Sequence, residues 1–241
     1  MQRRSVLKAG LALIATTTAA AIYRPVGAAT RVLFGGTKWL AKETPPPVPV
    51  DISKRVFFTD QEASLVAAIF DRLIPADDVS MSASEAGCVG FIDHQLAGDY
   101  GRGEWKYKLG PYRNGTAAQG DQSPLTPADC YRKGLADIAA ACDGRFGKQF
   151  SALTHAQQDE FLEEMETGKL SFSSVDSGVL FKQFLANVQE GFFADPIYGG
   201  NKDMVGWKMI GFPGARYDYR DYAELKGQKL DIEPVSIAGR I

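Results

Sequence analysis

Two histidines and three cysteines are all that the 241-residue chain offers as nitrogen or thiolate metal ligands or for thiol chemistry. His94 and His155 fall in separate predicted helices, and neither has a cysteine, histidine or carboxylate set beside it at a metal-binding spacing. Asp93 precedes His94 and is the nearest carboxylate for acid/base pairing, but adjacent residues on a helix point apart. Cys130 and Cys142 stand about 18 Å from one another if a single helix carries both, far outside the roughly 4.4–6.8 Å that a disulfide spans. An internal bridge must then use Cys88, and the odd count leaves one thiol over or one bridge to another chain. Three buried reduced thiols is the competing reading. There is no C-x-x-C-H, no cysteine run, no G-x-G-x-x-G, no P-loop and no G-x-S-x-G. The sequence therefore holds no cofactor site or activated nucleophile that can be named.

The unusual residues gather instead in residues 190–219, EGFFADPIYGGNKDMVGWKMIGFPGARYDY. Glycine and proline at that density forbid a long helix, and so many aromatics forbid a merely solvated loop. The segment is expected to be ordered, irregular and packed against its own domain or a partner. Asp195, Asn201, Asp203 and Asp218 fit structural roles in its turns.

The elements that must position this stretch read as helices. Thr59-Asp60-Gln61-Glu62 is a capping box, followed by Leu65, Ile69, Phe70, Leu73 and Ile74 at helical spacing and stopped by Pro75. A second box, Ser82-Ala83-Ser84-Glu85, predicts a helix with Cys88, Phe91, Ile92, Gln95 and Leu96 inward. Residues 98–124 form a long connection holding Tyr100, Trp105, Tyr107 and Tyr112, a second candidate contact surface. Thr126-Pro127 starts a helix with Tyr131, Leu135, Ile138 and Cys142 buried. Thr154 to Gln157 starts another, with Phe161, Leu162 and Met165 inward and Gly168 at its end. The last clear helix spans about 175–193, with Leu180, Phe184, Leu185 and Val188 inward. No alternating strand pattern or repeat occurs, so the expected fold is mainly α: a single compact helical domain with long ordered Gly/aromatic loops.

Ahead of this domain, Arg3 and Arg4 with Leu7 and Lys8 precede an apolar run over 9–21 and the small residues Val26-Gly27-Ala28-Ala29. The arrangement resembles the twin-arginine export signal, with Gln2 and Val6 as departures from that motif. A run of about 13 residues is short of the roughly 20 that a membrane-spanning helix needs. Residues 1–28 are thus expected to be an export signal and 29–57, with Pro45, Pro46, Pro47 and Pro49, a Pro-rich tether. The formal net charge of −2 becomes −6 once a cut after Ala28 removes Arg3, Arg4, Lys8 and Arg24. Neither value gives the basic footprint of a nucleic-acid partner.

The block over 190–219 closely resembles the gluconate 2-dehydrogenase subunit 3 family, the small subunit of membrane-associated flavin-dependent sugar and sugar-acid dehydrogenases of bacteria. FTDQEASLVAAIFDRLIPADD, SEAGCVGFIDHQLAGDYGRG and LTPADCYRKGLADI agree with it, so the likeness covers residues 58–222 and leaves 223–241 as a C-terminal extension. The resemblance implies a large FAD-dependent subunit that oxidises substrate and a multihaem cytochrome c subunit that passes electrons to the respiratory chain. The small subunit would assist maturation of the large one and its export through the twin-arginine translocase. The complex would then lie in the periplasm, at the outer face of the inner membrane. FAD and haem c would belong to the partners, and no catalytic residue carries over. Phe192, Phe193, Asp195, Pro196, Tyr198, Gly199, Gly200, Asn201, Trp207, Phe212 and Pro213 become candidate partner-binding residues, with Tyr198 and Trp207 expected to be exposed. The alternatives are an exported enzyme in its own right and a stand-alone periplasmic binding or scaffold protein.

Overall fold

Three threonines start three of the helices by the same local chemistry. Thr59, Thr126 and Thr154 each accept a hydrogen bond from the backbone N–H three residues on, while Glu62, Asp129 and Gln157 reach back to the threonine N–H. Each box satisfies two donors that a helix start otherwise leaves orphaned. The resulting elements are α1 (Asp60–Leu73), α3 (Pro127–Phe146) and α4 (His155–Glu166). Between the first two lies α2 (Cys88–Ala97); after them come α5 (Ser177–Phe193), N-capped by Asp176, and the short α6 (Val205–Ile210). The computed structural model describes residues 48–106, 110–111, 113, 115–119 and 123–239. Arg3, Arg4, Leu7 and Lys8, the tether as far as residue 47, and Tyr107 and Tyr112 lie outside the described residues. Among those described there is no β-strand, only two isolated bridges, so the domain is mainly α.

The helix α5 is the centre of the bundle, in contact with each of the five other helices among the described residues. Its inward face carries Leu180, Phe181, Phe184, Val188 and Phe192, all buried. Leu185, expected inward, is half-buried. Gly191 brings α5 against α2, since a Cβ there would stand 3.0 Å from the Phe91 ring and 3.3 Å from the Cys88 Cα. One polar cluster interrupts this apolar seam. Asn187 Oδ1 accepts from Tyr131 Oη (3.1 Å) and Tyr100 Oη (3.2 Å), and its Nδ2 donates to Glu190 Oε2 (2.9 Å). Burial pushes the Tyr131 phenol well above its ordinary range and keeps it a neutral donor. Buried polar groups satisfied in this way fix one register of packing. They also draw Tyr100, the start of the long connection, into the core.

The box at Ser82 forms without starting a helix. Ser82 N–H donates to Glu85 Oε2 (2.9 Å), but residues 83–87 stay a turn and α2 begins only at Cys88. The cause is tertiary. Gly87 sits at φ +86°, and a Cβ on it would come 2.5 Å from the Gly199 carbonyl oxygen. Backbone contact with the distant aromatic loop overrides the local signal.

The domain takes hold of the chain before Phe58. Asp93, fully buried on α2, accepts three consecutive backbone donors: Val56 N (2.6 Å), Phe57 N (3.1 Å) and Phe58 N (2.7 Å). Upstream, Val50 N–H donates to the Ile197 carbonyl (2.8 Å). Ile52 packs where Cβ atoms on Gly90 and Gly199 would meet it at 2.7 and 2.2 Å. Residues 50–58 are a strap laid from the aromatic loop to the start of α1.

Candidate functional site

The end of α5 hands the chain to a loop that side-chain polar groups tie to itself. Asp195 caps the turn Pro196–Tyr198, its Oδ1 accepting from Ile197 N (3.0 Å) and Ser236 Oγ (2.7 Å), its Oδ2 from Ile237 N (2.8 Å). Gly200 has no room for a side chain, because a Cβ would fall 2.1 Å from the Gly191 carbonyl oxygen. Asn201, fully buried, spans the loop: its Nδ2 donates to the Ala194 carbonyl and its Oδ1 accepts from Gly206 N, both at 2.8 Å. Asn201, Asp203 and Met204 all lie at positive φ, at 48°, 56° and 55°. Non-glycine residues in that region are uncommon, and three within four positions mark a backbone held by its surroundings. Lys202 N–H, donating to the Ala86 carbonyl (3.0 Å), fastens the loop to the turn before α2.

The second half is built on α6. Gly206 lies against α5, since a Cβ would be 2.2 Å from the Phe192 carbonyl oxygen. Trp207 follows it inward, 5% exposed, and donates its indole N–H to the Phe193 carbonyl at 2.8 Å. The expectation that Trp207 is exposed is therefore corrected. A tryptophan is buried when its one donor finds an acceptor, and the end of α5 supplies that acceptor. Gly211 at φ +70° ends α6 with Phe212 N–H bonded to the Trp207 carbonyl (2.9 Å), a Schellman-type stop. The Phe212 ring stands edge-on to Trp207, 5.2 Å between centroids.

The expected partner-binding residues thus divide. Phe192, Asp195, Gly200, Asn201 and Trp207 are buried and shape the loop; Pro196, Gly199 and Pro213 are half-buried; Phe193, Tyr198 and Phe212 reach the surface. Met209, Ile210 (59% exposed) and Ile237 (53%) join them there, as do Tyr217 and Tyr219. Sequence reasoning missed the first three. Met209-Ile210 is an adjacent apolar pair in a six-residue helix, where only one side can pack, and that was the available signal. In the long connection, Trp105 is exposed at 65%.

The acid/base pairing weighed for Asp93 and His94 does not form, because the Asp93 carboxylate is occupied by the strap. His94 Nε2 lies 3.2 Å from the Lys54 carbonyl, and His155 is exposed in the first turn of α4. No group of three or more His, Cys, Asp or Glu that could hold a metal occurs among the described residues. A shallow groove of about 320 Å³ runs between α1 and α3. Its charged pair, Arg132 and Glu62, is bonded to itself. What the aromatic loop can do chemically is present large apolar side chains at fixed positions, which is a binding task.

The cysteines are not bridged to one another. Cys88, Cys130 and Cys142 are buried reduced thiols, the last two on α3. Burial, helped by the Asp71 charge, pushes the Cys88 thiol up to about 12, and burial pushes Cys142 up to about 11. Thiols so protonated are poor nucleophiles. Native protein treated with a maleimide at neutral pH is expected to keep all three unmodified on intact-mass analysis, and denatured protein to gain three labels. Rapid labelling of the native chain, or a mass two lower after denaturation, would contradict this.

A family model described as gluconate 2-dehydrogenase subunit 3 matches residues 60–214, more than half of the chain. No curated protein and no solved structure matches it. The matched span runs from the first residue of α1 to Gly214, through both halves of the aromatic loop.

Proposed function

The chain belongs to the gluconate 2-dehydrogenase subunit 3 family, and from that premise we propose that it is the noncatalytic small subunit of a periplasmic FAD-dependent sugar or sugar-acid dehydrogenase. In this reading it binds the large FAD-dependent subunit through the aromatic loop and stabilises it. The twin-arginine residues Arg3 and Arg4 then carry the pair through the translocase already folded. A multihaem cytochrome c subunit completes the complex at the outer face of the inner membrane. One observation carries the proposal: Phe193, Tyr198, Ile210 and Phe212 are exposed on a backbone that Asp195 and Asn201 hold rigid. Exposed apolar groups are ordinary when scattered. Gathered on a pre-ordered loop, they lose little entropy on binding and suit an interface.

The test is purification of the tagged full-length chain from detergent-solubilised membranes. Flavin absorbance, haem absorbance and substrate-dependent dye reduction are expected in one peak, and no activity in the chain freed of flavoprotein. Activity from the chain alone would sink the noncatalytic role. Replacing Arg3 and Arg4 together with lysine is expected to leave the flavoprotein in the cytoplasmic fraction, and a flavoprotein still found in the periplasm would sink the escort role.

A further inference from the structure

The strap over residues 50–58 is held unevenly, and its weaker half lies on the aromatic loop. Its far end is fixed, since Asp93 takes the N–H groups of Val56, Phe57 and Phe58 and the Arg132 guanidinium covers the Phe57 ring. The near end, residues 50–54, has the Val50–Ile197 main-chain bond (2.8 Å), the His94 Nε2 contact with the Lys54 carbonyl (3.2 Å) and the seat of Ile52. That seat is floored by glycines. A Cβ on Gly90 would stand 2.7 Å from Ile52 Cβ, one on Gly199 2.2 Å from its Cγ2 and one on Gly87 3.3 Å from its Cδ1. Residues 51–56 are exposed. An exposed segment with few buried contacts opens readily, so residues 50–54 can lift while 56–58 stay bound.

The strap meets the loop on its backbone side. Ile197 offers its carbonyl and Gly199 its Cα, whereas Phe193, Tyr198, Ile210 and Phe212 turn their side chains to the surface. A partner seated on those side chains leaves the strap in place, and both then hold the turn Pro196–Tyr198 in one conformation. Two ligands that order the same turn assist one another.

We propose that residues 50–54 are a clasp coupled to docking: the FAD-dependent large subunit closes it by binding the aromatic loop, and the closed clasp tightens that binding by the same factor. This rests on the proposed subunit role. Residues 1–47 join the domain through the clasp. Closing it moves the point where the chain is fixed from Val56 to Val50, which takes up as much as about 20 Å of extended chain. Loading thereby changes the reach of the expected export signal.

The test uses the full-length chain and the flavoprotein that co-purifies with it, separated and re-titrated, with two variants that lie beneath the strap. Gly90→Ala puts a methyl group where Ile52 sits and favours α2, since alanine is the better helix former. Asp93→Asn loosens the far end from a fully buried position. Each is expected to bind the flavoprotein about fivefold more weakly or worse, with the thermal midpoint of isolated Gly90→Ala no lower than wild type. The flavoprotein is expected to slow hydrogen exchange at the wild-type Val50 N–H. If both variants bind like wild type, the inference falls and the subunit role stands, because slower exchange alone is then mere cover. Faster exchange at Val50 in the complex means that the partner displaces the strap, and it overturns the inference in the same way. If the wild-type chain brings down no flavin-containing partner, the subunit role itself falls and the inference with it.

Discussion

Asp93→Ala is expected to lower the stability of the domain by roughly 3–5 kcal/mol, because three backbone N–H groups lose their common charged acceptor and each orphaned buried donor costs about 1–3 kcal/mol. Phe58 N–H is the most buried of the three, and Val56 and Phe57 are partly covered. The strap should then come away as a unit. Phe57 is held besides by the Arg132 guanidinium, 4.1 Å from its ring centroid, and Ile52 sits over Gly90 and Gly199. Lys54 and Arg55 are exposed within the strap, so faster tryptic cleavage after them reports its release, alongside denaturant unfolding for the global cost. Asp93→Asn keeps the shape but turns an NH2 towards donors, and should recover only part of the loss. Unfolding within about 1 kcal/mol of wild type, with cleavage unchanged, would show that the carboxylate does not organise the strap. The consequence for function is geometric. Val50 is bonded to Ile197, so the strap that leads from the N-terminal residues is anchored on the docking loop itself.

What the sequence made legible is what depends on neighbours along the chain. The caps at Thr59, Thr126 and Thr154 concern residues within one turn, and each starts its helix where the pattern puts it. The inward faces of α3 and α4 follow from helical spacing, with Tyr131, Leu135, Ile138, Phe161 and Met165 buried as read. The box at Ser82 has the same letters, and its reciprocal bonds form. Tertiary contacts hold it as a turn, among them the approach of Gly199 to Gly87 and the bonds of Ser84 to Asp71, and nothing local encodes them. The same limit hid the site's supports. Asp93 binds donors 35–37 residues away and Asp195 binds Ser236 41 residues away, pairings that composition and periodicity do not register. Residues 190–219 could be read as an ordered aromatic loop, since glycine, proline and ring density are local facts. Which rings face inward could not, because Trp207 is drawn in by one carbonyl at the end of α5 and Ile210 is left out by the shortness of α6.

Asn201 is where loop and interface can be separated most sharply. Asn201→Gly keeps a residue that tolerates φ near +48° but removes both side-chain bonds. Leaving the Gly206 donor and the Ala194 acceptor unmet in a buried site is expected to cost roughly 2–4 kcal/mol. Asn201→Ala adds the left-handed penalty of about 1 kcal/mol or more, so alanine should be the worse of the two by that margin. Asn201→Asp retains the acceptor for Gly206 but has no donor for Ala194 and places a carboxylate in a fully buried position. It should not rescue. Because the bonds lie between the end of α5 and the start of α6, the loss is expected to be local: helical circular dichroism retained, hydrogen exchange raised over residues 195–211, and flavoprotein binding lost together with the loop's order. Ile210→Asp should give the complementary result, with exchange unchanged and binding lost. If Asn201→Gly exchanged like wild type and bound like wild type, the rigidity assigned to this asparagine would be wrong, and the interface would have to be sought on a face that the loop does not shape.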